Sequence, residues 1–250
     1  LIDGKTAKPT LKTHGGEFIL LKATLKPQTN WEAEAIDLDI LYEDDEIIVI
    51  NKPAGLVVHP AAGNHSGTLV NALLHHCEGL NEVPRAGLIH RIDKDTTGCL
   101  LSAKTLKAHT FLTAEMQKRH IKRSYLALVQ GALISGGTID APIGRDPRNR
   151  TKMAIVNEAR PAVTHYRIKE RFKDLTLLDV TLETGRTHQI RVHLKSINYP
   201  IIGDQTYHRL QFPKKASEEL KTALKGFKRQ ALHAKQLDFT HPLGRALSFT

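Results

Sequence analysis

The spacing of hydrophobic and polar positions changes several times along this chain, and each change marks an element. Residues 46–50, Glu-Ile-Ile-Val-Ile, form a short continuous apolar run that predicts a buried strand. The turn residues Asn51, Pro53 and Gly55 separate it from a second strand-like run at 56–58. Residues 66–76 predict a helix that starts near a Ser/Gly/Thr cap and ends at Gly79. Residues 87–92 and 99–103 read as strands on either side of Asp95-Thr-Thr-Gly98, which has good turn chemistry, and together they predict a hairpin with a charged tip. Thr105 caps a helix with Leu106, His109, Leu112 and Met116 on one stripe, and residues 121–129 then alternate as a strand carrying Tyr125. Residues 161–169 and 175–182 predict a β-pair. Thr187 is placed to cap a helix whose Ile190, Leu194 and Ile197 form an apolar row, with Arg191 beside it. A helix at 217–224 and a last strand at 231–239 complete the pattern. Strands and helices mix without strict βαβ alternation, so the expected class is α+β with a largely antiparallel sheet.

Charge is distributed unevenly over this frame. From Glu32 to Glu46 there are eight acidic residues and no basic one, which reads as a polar linker. From Arg145 to Lys173 there are nine basic residues against three acidic ones. Within that stretch, 147–152 (Pro-Arg-Asn-Arg-Thr-Lys) reads as a loop, and a basic loop reaches a groove more readily than a strand edge does. The whole chain has 36 basic and 26 acidic side chains in 250 residues, a formal net charge of +10. That excess points toward phosphate-bearing partners, meaning nucleic acid, against the plainer alternative of a basic soluble surface. At 40% hydrophobic the chain can bury one sizeable core, and none of its apolar runs approaches the roughly 20 residues a membrane span needs. The two cysteines, Cys77 and Cys99, form no CxxC pair, which suits a reducing compartment, with cytoplasm as the expected location.

The densest polar cluster is His90-Arg91-Ile92-Asp93-Lys94-Asp95. Alone it reads as an exposed charged tip, but arginines suited to pair a carboxylate recur at Arg186 and Arg191. Other chemistries lack their spacing. The chain has no GxxxxGK[ST] or GxGxxG to hold ATP or a dinucleotide and no HExxH for zinc, and neither Ser66 nor Ser102 lies in a nucleophile elbow. His75, His76 and Cys77 are adjacent without matching a known ligand spacing, so no metal and no cofactor are expected.

Several segments together resemble one family. His90-Arg-Ile-Asp-Lys-Asp-Thr-Thr-Gly98 is similar to the catalytic-loop signature of the RluA/RluD family of pseudouridine synthases. So are Tyr42-Glu-Asp-Asp-Glu-Ile-Ile-Val-Ile-Asn-Lys-Pro-Ala-Gly55, Gly185-Arg-Thr-His-Gln-Ile-Arg-Val-His193 and Arg229-Gln-Ala-Leu-His-Ala234, all in family order. Leu56-Val-Val-His-Pro60, Asn71-Ala-Leu-Leu-His75 and Pro84-Arg-Ala-Gly87 look closest to the RluD type, which modifies the helix 69 stem-loop of bacterial large-subunit ribosomal RNA. Residues 1 to about 27 look like the second half of an S4-type RNA-binding domain, its first half missing. The expected division is residues 1–30 as that partial domain and linker, and 31–250 as the catalytic domain.

The resemblance implies the pseudouridine synthase fold: a mixed, mostly antiparallel sheet flanked by helices, with a central catalytic cleft. It implies uridine isomerisation in structured RNA, most simply 23S ribosomal RNA free or in a pre-ribosomal particle, by a cofactor-free monomer. Asp93 would start the reaction as nucleophile or base. A carboxylate withdrawn from water keeps its charge only beside a cation, and Arg191 is the expected bidentate partner, with Arg186 closer to phosphate. Tyr125 would stack on the uracil and help remove the C5 proton, and Ile190 would wall the base from water. Arg91 would take the place of the everted nucleotide in the stack, and His90 would be structural or contact phosphate. Arg145, Arg148, Arg150 and Lys152 would grip the RNA backbone. The rival readings are a non-catalytic RNA-binding module, a synthase with another ribosomal or transfer RNA target, and a metal-dependent nuclease using the acidic run.

Overall fold

Ile47, Ile48, Val49 and Ile50 are all fully buried, and they alternate between two cores: Ile48 and Ile50 enter one, Ile47 and Val49 the other. A strand covered on both faces reads as an unbroken apolar run, which is the pattern the sequence shows there. The computed structural model describes residues 1–8, 10–20, 31–61, 63–209, 211–212 and 216–250, in two units, Leu1–Asn30 and Trp31–Thr250.

In the first unit Ile2 bridges Ile19, the Asp3 N–H donates to the Phe18 carbonyl at 2.9 Å, and the Phe18 N–H donates to the Asp3 carboxylate at 2.9 Å. Ile19 lies in an isolated bridge rather than a strand, and residues 21–30 lie outside the described residues.

In the second unit the described elements are β1 (Ile40–Glu43), β2 (Ile47–Lys52), α1 (Leu69–His76), β3 (Thr97–Ala103), α2 (Leu106–Gln117), β4 (Lys122–Gln130), β5 (Gly137–Asp140), β6 (Ile143–Arg145), β7 (Met153–Ile155), β8 (Val163–Arg171), β9 (Leu175–Leu182), α3 (Gln189–Ser196), α4 (Glu218–Gly226), β10 (Leu232–Thr240) and β11 (Ala246–Phe249). The main sheet runs β1-β2-β3-β10-β4-β9-β8-β5, with β11 also paired to β10 and β6-β7 forming a separate two-stranded sheet. Only the β3–β10 pairing is parallel among the described strands. The architecture is the expected mixed, mostly antiparallel sheet with helices packed on it.

β10 joins the two halves of the sheet. One edge pairs with β4 from Leu232 opposite Ala127 to Asp238 opposite Lys122. The other edge meets β3 at His233 and Ala234, then β11 from Leu237 onward. The parallel contact is close: a Cβ on Gly98, whose φ is +109°, would lie 2.2 Å from the Ala234 carbonyl oxygen, so only glycine fits. Toward β8 and β9 the sheet is covered on one face, and Leu178 and Val180 point inward while Asp179 and Thr181 point out.

Three helix starts follow their capping chemistry. The Thr68 hydroxyl accepts from the Asn71 N–H, with the Asn71 side chain accepting from the Thr68 N–H in return. Thr105 accepts from the Ala108 N–H at 3.0 Å, and Ser217 from the Leu220 N–H at 3.2 Å. Elsewhere the local pattern misleads. On α2 the buried positions are Ala108 and Leu112, and Leu106 is exposed. Residues 87–92 form no strand: Pro84–Gly87 is a 3-10 turn with Arg85 and Ala86 left-handed, and Leu88 makes one bridge to Ser102. Residues 56–58 hold a single bridge from Val57 to Thr68. The acidic stretch 32–46 is a linker only in part, since β1 lies within it. The strand at 231–239 is β10, which is interior to the sheet, and β11 follows it.

Candidate active site

The loop between the Pro84–Gly87 turn and β3 carries Asp93, and a buried lysine fixes its course. Lys52 is fully buried at the end of β2, and its ammonium donates to the carbonyls of Pro53, Leu56 and Lys94 at 2.7, 2.9 and 2.7 Å. All three of its protons are used, and one of them clamps the residue next to Asp93. The Asp93 carbonyl accepts from the Thr96 N–H at 3.0 Å, closing the turn, and Thr96 is held in place by the Gln230 side chain at 3.2 Å.

Asp93 faces a cleft of about 540 Å³ that is also lined by Arg91, Arg123, Tyr125, Arg186, His188, Ile190 and Arg191. Tyr125 comes from β4, where it pairs with Val180, and is buried. Burial pushes its phenol above the usual range, so the hydroxyl keeps its proton at neutral pH. Ile190 and Arg191 come from the first turn of α3. The expected Thr187 cap is replaced by His188, a left-handed residue (φ +56°) that offers no side-chain cap. The loop before it is closed instead by Gln189. The Gln189 side-chain oxygen accepts from Thr184 and from the Arg186 N–H, and its amide donates to Val163 and Thr164.

Arg191 meets Asp93 through one bond, from Nη1 to the Asp93 carboxylate at 2.9 Å. Its fork is spent on a residue the sequence did not single out: Nε and Nη2 donate to the two carboxylate oxygens of Asp204 at 2.7 and 2.9 Å. The expected bidentate grip on Asp93 is thus a bidentate grip on Asp204, which leaves Asp93 held at one edge. The Asp93 side chain remains 17% exposed to the cleft, against 1% for Asp204. Burial alone would raise the Asp204 carboxyl. The Arg191 bonds and charge, with the Thr206 and Tyr207 N–H groups, more than offset it and hold the group below the ordinary carboxylate range. Burial likewise opposes the Arg191 charge, and the two carboxylates outweigh it, so the guanidinium holds its proton more tightly than usual. Asp204 follows Gly203, where a Cβ would lie 2.1 Å from the Arg229 carbonyl oxygen.

The remaining expected residues divide. Arg91, Arg186 and Ile190 join Asp93, Tyr125 and Arg191 around the cleft. His90 does not: its Nε2 accepts from the Leu101 N–H at 3.1 Å and its Nδ1 is sealed from solvent, so the ring is structural and has no nitrogen free for phosphate. Burial, with the charge of Arg123, lowers it to about 3 and keeps it neutral. Arg145, Arg148, Arg150 and Lys152 lie on the β6–β7 hairpin, away from the cleft. Arg145 donates to the Arg150 carbonyl and Lys152 to that of Thr206, while Arg148 and Arg150 are exposed at the tip. Arg123 was not anticipated. It lines the cleft without a carboxylate partner among the described residues, and Gly185 makes room for its guanidinium, since a Cβ there would lie 2.7 Å from it.

No described helix is long and apolar enough to cross a membrane. Residues 46–196 match the family model for RNA pseudouridylate synthase. The chain belongs to the RNA pseudouridylate synthase family. The synthase is 54% identical over 244 residues to "Ribosomal large subunit pseudouridine synthase D" of Xanthomonas campestris pv. campestris, covering 97% of this chain and 74% of that protein. It is 51% identical to the protein of the same name from Vibrio parahaemolyticus (100% and 79% covered) and 53% identical to that from Pseudomonas aeruginosa (96% and 76%). Among solved structures, human RNA Pseudouridylate Synthase Domain Containing 4 aligns with TM-score 0.64 and 28% identity, over 84% of this chain and 86% of that one. Human RNA Pseudouridylate Synthase Domain Containing 1, at TM-score 0.67 and 23% identity over 87% and 84%, shares the fold. The synthase is therefore an enzyme that isomerises uridine in RNA.

Proposed function

We propose that the synthase modifies large-subunit ribosomal RNA, at uridines of the helix 69 stem-loop, and that Asp93 starts the reaction. The observation that carries the mechanism is the Asp93 carboxylate, held against Arg191 at 2.9 Å inside a cleft shared with Tyr125. The N1–C1′ bond of uridine breaks, the uracil turns, and C5 bonds to C1′ as its proton is lost and N1 gains one. No electrons leave and no group is added, so the chemistry requires neither metal nor cofactor. Asp93 acts as nucleophile or base, held at one oxygen by Arg191 and left free at its second oxygen because the guanidinium fork is turned to Asp204. Tyr125 stacks on the base and relays the C5 proton, its hydroxyl accepting that proton as it passes its own to water, and Ile190 packs along the base. The target is hidden in stacked RNA until it is flipped out, and the Arg91 plane fills the gap it leaves.

The helix 69 assignment is supported by the segments at 56–60, 71–75 and 84–87, and the large-subunit assignment by the names of the relatives above. The exposed Arg148 and Arg150 would reach backbone phosphates beyond the cleft. Residues 1–30 fit the second half of an S4-type domain, and the enzyme would act in the cytoplasm as a monomer during ribosome assembly. Incubation with large-subunit ribosomal RNA fragments, followed by carbodiimide mapping of pseudouridine, tests this reading. The native enzyme should label the helix 69 fragment, and Asp93→Asn should bind it and leave it unmodified. Product confined to other ribosomal or transfer RNA fragments would overturn the target, and turnover by Asp93→Asn would overturn the mechanism.

A further inference from the structure

His188 borders two chambers, the cleft beside Tyr125 and a second one on the other side of Asp93 that reaches His59, Lys94 and Lys228. It adopts a left-handed backbone at φ +56° and ψ +21°, a conformation costly for a side chain with a Cβ and one that glycine would hold without strain. Among the described non-glycine residues with positive φ, His188 is the one that lines the cleft.

The hydrogen bonds around the ring decide which of its nitrogens carries the proton. Nδ1 lies 2.8 Å from the Tyr207 hydroxyl, and that same oxygen accepts from the Met153 N–H at 2.8 Å. If Nδ1 were the donor, the phenolic proton would be left without an acceptor among the described residues. The arrangement that uses every proton has Tyr207 donating to Nδ1, which places the imidazole proton on Nε2. Arg191 packs over the Tyr207 ring at 5.1 Å, so the phenol that sets the tautomer is itself braced by the arginine that holds Asp93. Nε2 has no hydrogen-bond partner among the described residues, yet it is not sealed from the cleft as the orphaned nitrogen of His90 is.

We infer that His188 is a further substrate-binding residue, donating one hydrogen bond from Nε2 to an oxygen of the everted uridine. The acceptor is a ribose hydroxyl, a uracil carbonyl or an adjoining phosphate oxygen. The inference rests on the reading of the Asp93 cleft as the place where the uridine is received. A donor at this point orients the nucleotide for attack and leaves the bulk of RNA affinity to the arginines.

The test uses the full chain, a helix 69 stem-loop RNA and single-turnover pseudouridine formation at saturating enzyme. His188→Gly and His188→Asn both tolerate the left-handed backbone and remove the Nε2 donor, so the fold is kept. Each should slow the reaction about ten- to hundredfold with RNA Kd changed less than about twofold and a cooperative melting transition retained. RNAs altered at one oxygen of the target (2′-deoxy, 2-thio, 4-thio, or a neighbouring methylphosphonate) then identify the acceptor. One of them should slow the native enzyme by a similar factor and slow the His188 variants no further. Wild-type rates in both variants, or penalties that simply multiply for every altered oxygen, would overturn the inference. Asp93→Asn, run in parallel, separates the two readings. If it is inactive while the His188 variants are unimpaired, only the role of His188 falls; if it retains activity, the cleft assignment falls with it.

Discussion

Replacing Asp204 by asparagine probes how far the active-site charges depend on a residue that need not touch substrate. Asp204 accepts four hydrogen bonds: one oxygen takes Arg191 Nη2 and the Thr206 and Tyr207 N–H groups, and the other takes Arg191 Nε. Asparagine reproduces the first oxygen and sets an N–H₂ against the Nε–H in place of the second. One buried charge-assisted bond is lost, worth about 1.5–3 kcal/mol. Arg191 keeps Asp93 as a counter-charge, so the larger penalty of an unpaired buried ion does not apply. A loss of about 1.5–3 kcal/mol lowers the melting temperature of a chain this size by roughly 3–12 °C. The pH dependence has a definite sign. The folded carboxyl lies below its ordinary value, so its contribution is present above about pH 4 and is lost as pH falls through the folded value. Asp204→Asn should flatten that acid limb. With half of its fork released, Arg191 presents a less fixed edge to Asp93, and the single-turnover rate should fall by about tenfold or more while RNA Kd holds. Calorimetric scans between pH 3 and 8, paired with single-turnover rates, check both. A variant with native melting temperature, native acid limb and native rate would refute the account of Arg191 as an arginine positioned by Asp204.

Other outcomes follow from the same contacts. Lys52→Met removes the partner of three carbonyls at once and should cost about 3 kcal/mol or more, seen as a lowered urea midpoint, with activity falling further because the Lys94 carbonyl is released. His90 is held neutral, with a folded value of about 3 against an ordinary 6.5, so its contribution is complete above pH 6.5 and drains away as the solution is acidified toward 3. His90→Gln should show a shallower decline of melting temperature over that window. The double change Arg148→Ala with Arg150→Ala should weaken RNA binding and reduce the slope of log K against log salt by about one to two, with the rate on bound RNA unchanged.

Much of the frame was readable because local chemistry and burial agree. Thr68, Thr105 and Ser217 cap helices by ordinary rules, and β2, β4 and β9 carry the period that their burial demands. The errors cluster where long-range contact overrides pattern. Residues 87–92 have strand composition, but left-handed Arg85 and Ala86 and the tight approach of Gly87 to Ala103 turn the chain away from pairing. In the site, Asp93 and Arg191 were legible through the resemblance of their motifs to one family, since alone the 90–95 cluster reads as an exposed charged tip. Asp204 did not: a single acid after an apolar run has no pattern, and its role comes from a partner 13 residues earlier in the chain. Arg191 was rightly paired with Asp93, but how its fork is shared depends on a third residue that pairwise reasoning leaves out.

The insertion of β10 between β3 and β4 constrains the order of events at birth. Asp93 leads into β3 and Tyr125 sits on β4, and neither strand hydrogen-bonds to the other. Until residues 232–240 have left the ribosome, those two strands have no shared neighbour to set their spacing. A growing chain at residue 200 already contains Asp93, Tyr125 and Arg191, yet it lacks the strand that sets β3 against β4. The cleft is therefore closed by a strand far along the chain from Asp93 and Tyr125, and loss of the β10 pairing alone would uncouple the acid from the phenol.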